Sequence, residues 1–293
     1  MKTHFLFILA FSFLIGFSQC KSDKPDTSES SQELLVSDSL SNIVFLLPSP
    51  DEILNEIFFE EVELNPAFIS PITNSEKYLD TRYQALNLGV YIADFAYLSF
   101  TDNKNKEIEY LKVIRDLSEK VNLYGLMDEN LLNRIQANLT NNDTLQTISQ
   151  EMYYNLSDML ENTNRSNIFT LISTGTIVEA LYLASMNVTN YKEFEEVIKR
   201  MFEQKFVFEN FYEFAMQYST DEYVKSILSH LDQLKQMFED LQKSKTETKV
   251  TKTEGNNFRI EGGIEFIVNE QVFQNFKINI IKIREEIINV SNK

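Results

Sequence analysis

Along most of this chain, apolar residues recur at the three- and four-residue spacing of a helix that buries one face. Two stretches depart from that pattern because they are apolar on nearly every side. They are ALNLGVYIADFAYLSF, residues 85–100, and IFTLISTGTIVEALYLASM, residues 168–186. A helix that is apolar all round belongs in the middle of a bundle or in a membrane. Each stretch is short for a span and carries one acid at its middle, Asp94 and Glu179. Both are therefore read as buried core helices, and the fold class as all-α, a multi-helix bundle around two central helices.

The remaining elements follow from the same periodicity. Asp51 is the expected N-cap of a short helix whose apolar face is Ile53, Leu54, Ile57 and Phe58. Pro66 and Pro71 mark a loop over 64–75. Helices are expected over 76–100, 104–123, 128–139, 143–163, 166–186, 191–218 and 222–243, with a last one over 264–290. No proline occurs after Pro71, which suits a helical chain. The seam Val224, Ile227, Leu231, Leu234, Phe238, Leu241 matches the seam Phe273, Phe276, Ile280, Ile283, Ile287, Val290. Two helices packing within one bundle is the expected use of such short seams. Recruitment of a partner is the rival, and it requires both seams to lie exposed. The polar break at 244–263 either lets these two helices lie antiparallel or forms a hairpin arm.

The two central stretches align with each other. Asp94-Phe95-Ala96-Tyr97-Leu98 corresponds to Glu179-Ala180-Leu181-Tyr182-Leu183, and Gly89 and Gly175 precede the acids by five and four residues. An amphipathic segment follows each, KEIEYLKVIRDL at 106–117 and KEFEEVIKRMF at 192–202. This arrangement suggests a duplicated helix pair. The glycines would let the central helices approach closely.

A buried carboxylate must be paired or hydrogen-bonded, or else take up a proton. Two readings of the acids stand. In one, Asp94 and Glu179 face each other across a pocket with Tyr97 and Tyr182, and bind a small ligand or act as an acid/base pair. In the other they are polar anchors that fix helix register, with Arg82 or Asn87 as partners. The second is the leading reading, and amide substitution of the acids is then expected to cost stability.

Composition narrows the function classes. The chain of 293 residues has 27 Lys and Arg against 44 Asp and Glu, a formal net charge of −17. Nucleic-acid binding needs a cationic face to neutralise phosphates, and no dense Lys/Arg run supplies one. The two histidines are His4 and His230, too few for a multi-histidine metal site, and His230 lies off its helix's apolar seam on an expected solvated face. No metal and no cofactor is expected. The common glycine-rich phosphate motifs and the serine-hydrolase elbow are absent from the sequence. TDNKNKEIE at 101–109 lacks the glycine and acids of a calcium loop, and a capped loop before a helix is expected there. The dense aromatics Phe202, Phe206, Phe208, Phe211, Tyr212 and Phe214 are expected in the core.

The N-terminus carries an address. Lys2 and His4 precede an apolar run from Phe5 to Phe17, the length of a secretory signal. Cys20, the sole cysteine, follows at once, and then the polar run KSDKPDTSESSQE. This resembles a bacterial lipoprotein signal. Residues 1–19 would be removed, Cys20 would carry lipid, and 20–45 would form a flexible tether to a single helical domain over 46–293. Gln19 replaces the small residue usual before the cysteine, so plain secretion to the periplasm is the alternative.

NLGVYIADFAYL together with TGTIVEALYLASM resembles a family of uncharacterised all-helical lipoproteins of Bacteroidota-type bacteria. Those share a Gly-Val-Tyr-x-Ala-Asp segment, here Gly89 to Asp94, and a Gly-x-x-x-Glu-x-Leu-Tyr segment, here Gly175 to Tyr182, over about residues 76–200. The resemblance implies an outer-membrane lipoprotein of the cell envelope, held to the membrane by lipid on Cys20. It implies no activity and no catalytic residue. A non-enzymatic binding or scaffold module with an envelope protein as partner is the leading expectation. A ligand binder or hydrolytic enzyme using Asp94 and Glu179 is the alternative.

Overall fold

The computed structural model describes residues 47–58, 63–101, 103–252 and 258–289, with side chains omitted over 245–265. The signal segment, Cys20, the tether and Val290 lie outside the described residues.

Local chemistry sets the helix starts. The first helix, α1 (Pro50–Ile57), begins one residue before Asp51. Ser49 is its N-cap, in a capping box with Glu52, and Pro50 takes the first turn, where a missing N–H costs nothing. Asp51 is instead fully buried inside that turn. A 3₁₀ turn (Ile72–Lys77) leads into α2 (Thr81–Ser99), so the expected start at 76 gives way to Asp80 as the N-cap. Next come α3 (Lys104–Lys120), α4 (Glu129–Ala137), α5 (Asn142–Asn162) and α6 (Ser166–Asn187).

The single helix expected over 191–218 is two. They are α7 (Glu195–Glu203) and α8 (Lys205–Met216), and they meet at Gln204, where ψ flattens to −5°. After α9 (Glu222–Glu239) the polar break forms the hairpin arm, β1 (Gln242–Lys252) against β2 (Phe258–Ile267), antiparallel, with an irregular register between Thr246 and Lys249. Thr246, Thr248, Val250 and Thr251 suit a strand. The last helix, α10 (Glu270–Ile288), closes the chain.

The fold is an all-α bundle, with that small hairpin as an appendage. Every residue of α2 from Gln84 to Ser99 is buried, and α6 is buried almost throughout. α6 is long and apolar enough to cross a membrane, yet its surface is taken up by the protein itself. The other helices are wrapped around this pair. Both C-terminal seams face inward: Val224, Ile227, Leu231, Leu234 and Phe238 on α9, and Phe273, Phe276, Ile280, Ile283 and Ile287 on α10, are all buried. This removes the reading in which they await a partner. Phe202, Phe238 and Phe276 pack together where α7, α9 and α10 meet, Phe202 edge-on to Phe238 and Phe276 tilted against both. Phe206 is the exception among the clustered aromatics; it is exposed and lies against Phe266 of the hairpin.

The central helices run parallel. Gly89 of α2 abuts Ile172 and Thr176 of α6, and Gly175 abuts Leu86 and Val90. Further along, Tyr97 meets Asn187, so the register advances together on both helices. Matched glycines on parallel helices are the arrangement a duplicated pair would give. The segments that follow differ, because α3 is a continuous helix of 17 residues and α7 stops after nine.

Candidate functional site

Asp94 and Glu179 project into the same interior volume, and both are wholly shielded from solvent. What lies between them and water is the side chain of Arg284. It enters from α10, whose seam it joins as the residue after Ile283. Its Nε donates to Glu179 Oε2 at 2.6 Å and its Nη2 to Glu179 Oε1 at 2.8 Å. This two-pronged pairing suits a planar guanidinium. Nη2 also donates to Ser70 Oγ at 2.8 Å, and the guanidinium lies 3.9 Å from the centre of the Tyr182 ring.

Asp94 is held from the other side. Its Oδ2 accepts from the backbone N–H of Ser70 at 3.0 Å. Ser70 precedes Pro71, which keeps the backbone there extended. Tyr110 donates to the carbonyl of Ser70, and Tyr91 donates to that of Pro71 at 2.8 Å. The loop is thus fastened by groups from α2, α3 and α10.

The charges balance only if one acid is neutral. Burial raises the pKa of Asp94 well above the carboxylate range, the charge of Glu179 raises it further, and Arg284 offsets part of this. Burial thus favours the protonated form of Asp94. Its Oδ1 has no hydrogen-bond partner. Burial opposes the Arg284 cation, but the charge and hydrogen bonds of Glu179 outweigh burial and raise its pKa. The Glu179–Arg284 ion pair thus stands beside an acid whose neutral form burial favours, a combination a dry interior tolerates.

The other expected site residues do different work. Asn87 donates to the carbonyls of Tyr83 at 2.9 Å and Ile287 at 3.1 Å, and Tyr78 donates to that of Ile288 at 3.3 Å. Asn87 and Tyr78 thereby satisfy carbonyls that the end of α10 leaves without partners. Tyr97 belongs to a closed ring: Asn187 Nδ2 donates to its hydroxyl at 2.9 Å, the hydroxyl donates to Asn65 O at 3.2 Å, and Asn65 N–H donates to Asn187 Oδ1 at 3.0 Å. Arg82 is partly exposed, 3.9 Å from Asp80 and stacked over Tyr83. Neither Arg82 nor Asn87 pairs with an acid of the centre. Sequence reasoning missed Arg284, Ser70 and Asn187. Arg284 was the one with a readable signal, a cation lying four residues after Ile280 and three before Ile287 on an apolar face.

Two further ionisable groups depart from expectation. Asp51 accepts from Ser149 Oγ at 2.6 Å, and burial pushes its pKa up to about 7. His230, expected in solvent, is half-buried between α9 and α10, with Nδ1 3.3 Å from Glu286 Oε2. Burial lowers its pKa while Glu286 works the other way.

A carboxyl pair sharing a proton could in principle do acid/base chemistry. Here no solvent reaches either oxygen pair, and the cation that would orient a substrate is already bonded to Glu179 and Ser70. Among the described residues, no group of His, Cys, Asp or Glu is placed to hold a metal ion. Comparison with known proteins finds no family model, no curated protein and no solved structure that matches this chain.

Proposed function

We propose that this chain is a lipid-anchored protein of the cell envelope that works as a non-catalytic binding or scaffold module. The signal-like run to Phe17, the isolated Cys20 and the polar tether support the anchor. The observation that carries the non-catalytic reading is the closed Asp94–Glu179–Arg284 centre. Its titratable groups are committed to joining α2, α6, α10 and the Ser70 loop. The strongest acid/base candidates in the sequence therefore serve as struts. A deeply buried ionic group marks an active site only when substrate can reach it. In this reading the work is done on the outer, acidic surface, by holding another molecule near the membrane.

The test is mass spectrometry of the full-length protein extracted from its native membrane. Diacyl or triacyl modification of Cys20, with residues 1–19 removed, is the expected result. Protein released without detergent and carrying an unmodified thiol at Cys20 overturns the anchor. Retention of membrane association by Cys20→Ala does the same.

A further inference from the structure

A cleft of about 590 Å³ opens between α4 and α5, away from the ionic centre. That volume is within the usual range of small-molecule sites, roughly 300–1,000 Å³. Asn155, Asp158 and Asn162 line it from α5, at the three- and four-residue spacing that puts side chains on one helix face. Asn130 and Arg134 line it from α4, one turn apart. Leu131 and Met159 supply apolar surface. At one end the cleft is lined by Gly125, whose positive φ of 95° turns the chain and whose missing side chain leaves open space.

Four polar side chains of this cleft are unengaged. Among the described residues, no hydrogen bond forms to the side chains of Asn130, Asn155, Asp158 or Asn162, whereas Asn65, Asn87 and Asn187 are all bonded. The lining carries two acids, Asp128 and Asp158, against one cation, Arg134. Arg134 is paired with Glu151 at 2.8 Å, and Asp128 is occupied as the N-cap of α4. With acids at its edge and its one cation paired, the cleft does not suit a phosphate or a carboxylate. Each asparagine amide offers a donor and an acceptor side by side, which matches a pair of neighbouring hydroxyls, and Asp158 offers two further acceptors. The apolar surface of Leu131 and Met159 suits the C–H faces of a sugar ring.

From the free amides facing across this cleft we infer that it is a binding site for a neutral oligosaccharide. The inference deepens the reading of the chain as a binding module and rests on it. A covalently printed array of neutral oligosaccharides, probed with the full-length protein in detergent, tests it. Retention on at least one glycan is expected, weakened at least ten-fold by Asn155→Ala with Asn162→Ala and by Asn130→Ala. These side chains are exposed, so the variants should melt as the parent does. Asp158→Asn, nearly isosteric, should weaken binding to a smaller degree. A blank array overturns the site, and so does retention that the variants leave unchanged. The acyl analysis of Cys20 is a separate readout: acylated protein with a blank array rejects the saccharide site alone, while glycan retention by unmodified protein rejects the anchor alone.

Discussion

Gly89 and Gly175 hold reciprocal positions at the crossing of the central helices. A Cβ added to Gly89 would come within 1.9 Å of the Ile172 carbonyl oxygen, and one added to Gly175 within 1.9 Å of the Leu86 carbonyl oxygen. Both obstacles are backbone, so no rotamer change relieves them. Overpacking a core commonly costs about 1–3 kcal/mol, and here the helices themselves must separate. Gly89→Ala and Gly175→Ala should each destabilise by about 3 kcal/mol or more. Urea unfolding followed by circular dichroism measures this, and a loss under about 1 kcal/mol would mean the crossing is looser than described.

The two central acids should respond differently to neutral substitution. Burial favours the protonated form of Asp94, so Asp94→Asn preserves the shape and charge of that form and should cost under about 1 kcal/mol. Glu179→Gln strips Arg284 of its counter-ion in a dry site and should cost about 3–5 kcal/mol. Arg284→Met should cost a similar amount, and adding Glu179→Leu to it should restore more than half of the loss. Equal losses for Asp94→Asn and Glu179→Gln in chemical denaturation would contradict this division of charge.

Asp51 predicts a pH signature. Its folded pKa of about 7 lies above the unfolded 3.8, so between those values the folded chain binds more protons than the unfolded one. Its contribution is complete below pH 4 and is lost as pH rises through 7, with a limiting slope of about 1.4 kcal/mol per pH unit. Asp51→Asn keeps an acceptor for Ser149 and never ionises. The variant should match the parent near pH 4 and melt at a higher temperature at pH 8. Parallel melting curves at both pH values would refute the assignment.

Lys205 is almost wholly buried, with Nζ 2.7 Å from the Phe238 carbonyl in the last turn of α9 and 3.4 Å from Glu209. It neutralises a helix end that has few other donors. Lys205→Met keeps the bulk and removes the donor, and should cost about 1–3 kcal/mol in thermal unfolding.

Much of this architecture was legible from residue spacing. The two all-apolar stretches named the central helices, and the seams on α9 and α10 named the faces that pack. The break at Gln204 was hidden because apolar positions run on through Met201, Phe202, Phe206 and Phe208, and no proline or glycine marks the change in ψ. Arg284 and Ser70 stayed hidden because pairing across 105 and 214 residues depends on which helix end returns to which loop, and periodicity carries no such information. His230 looked exposed because it lies off the seam of its own helix, yet α10 covers it. The cleft between α4 and α5 depends on the angle between two short amphipathic helices, which their sequences do not encode locally.

The place of Arg284, four residues before the end of the last helix, makes the fold intolerant of unfinished chains. A product that stops anywhere ahead of α10 keeps both inward acids and every greasy surface around them, but lacks the single cation that reconciles them. Such fragments should stay open and be destroyed by proteases, so that only molecules translated through α10 persist.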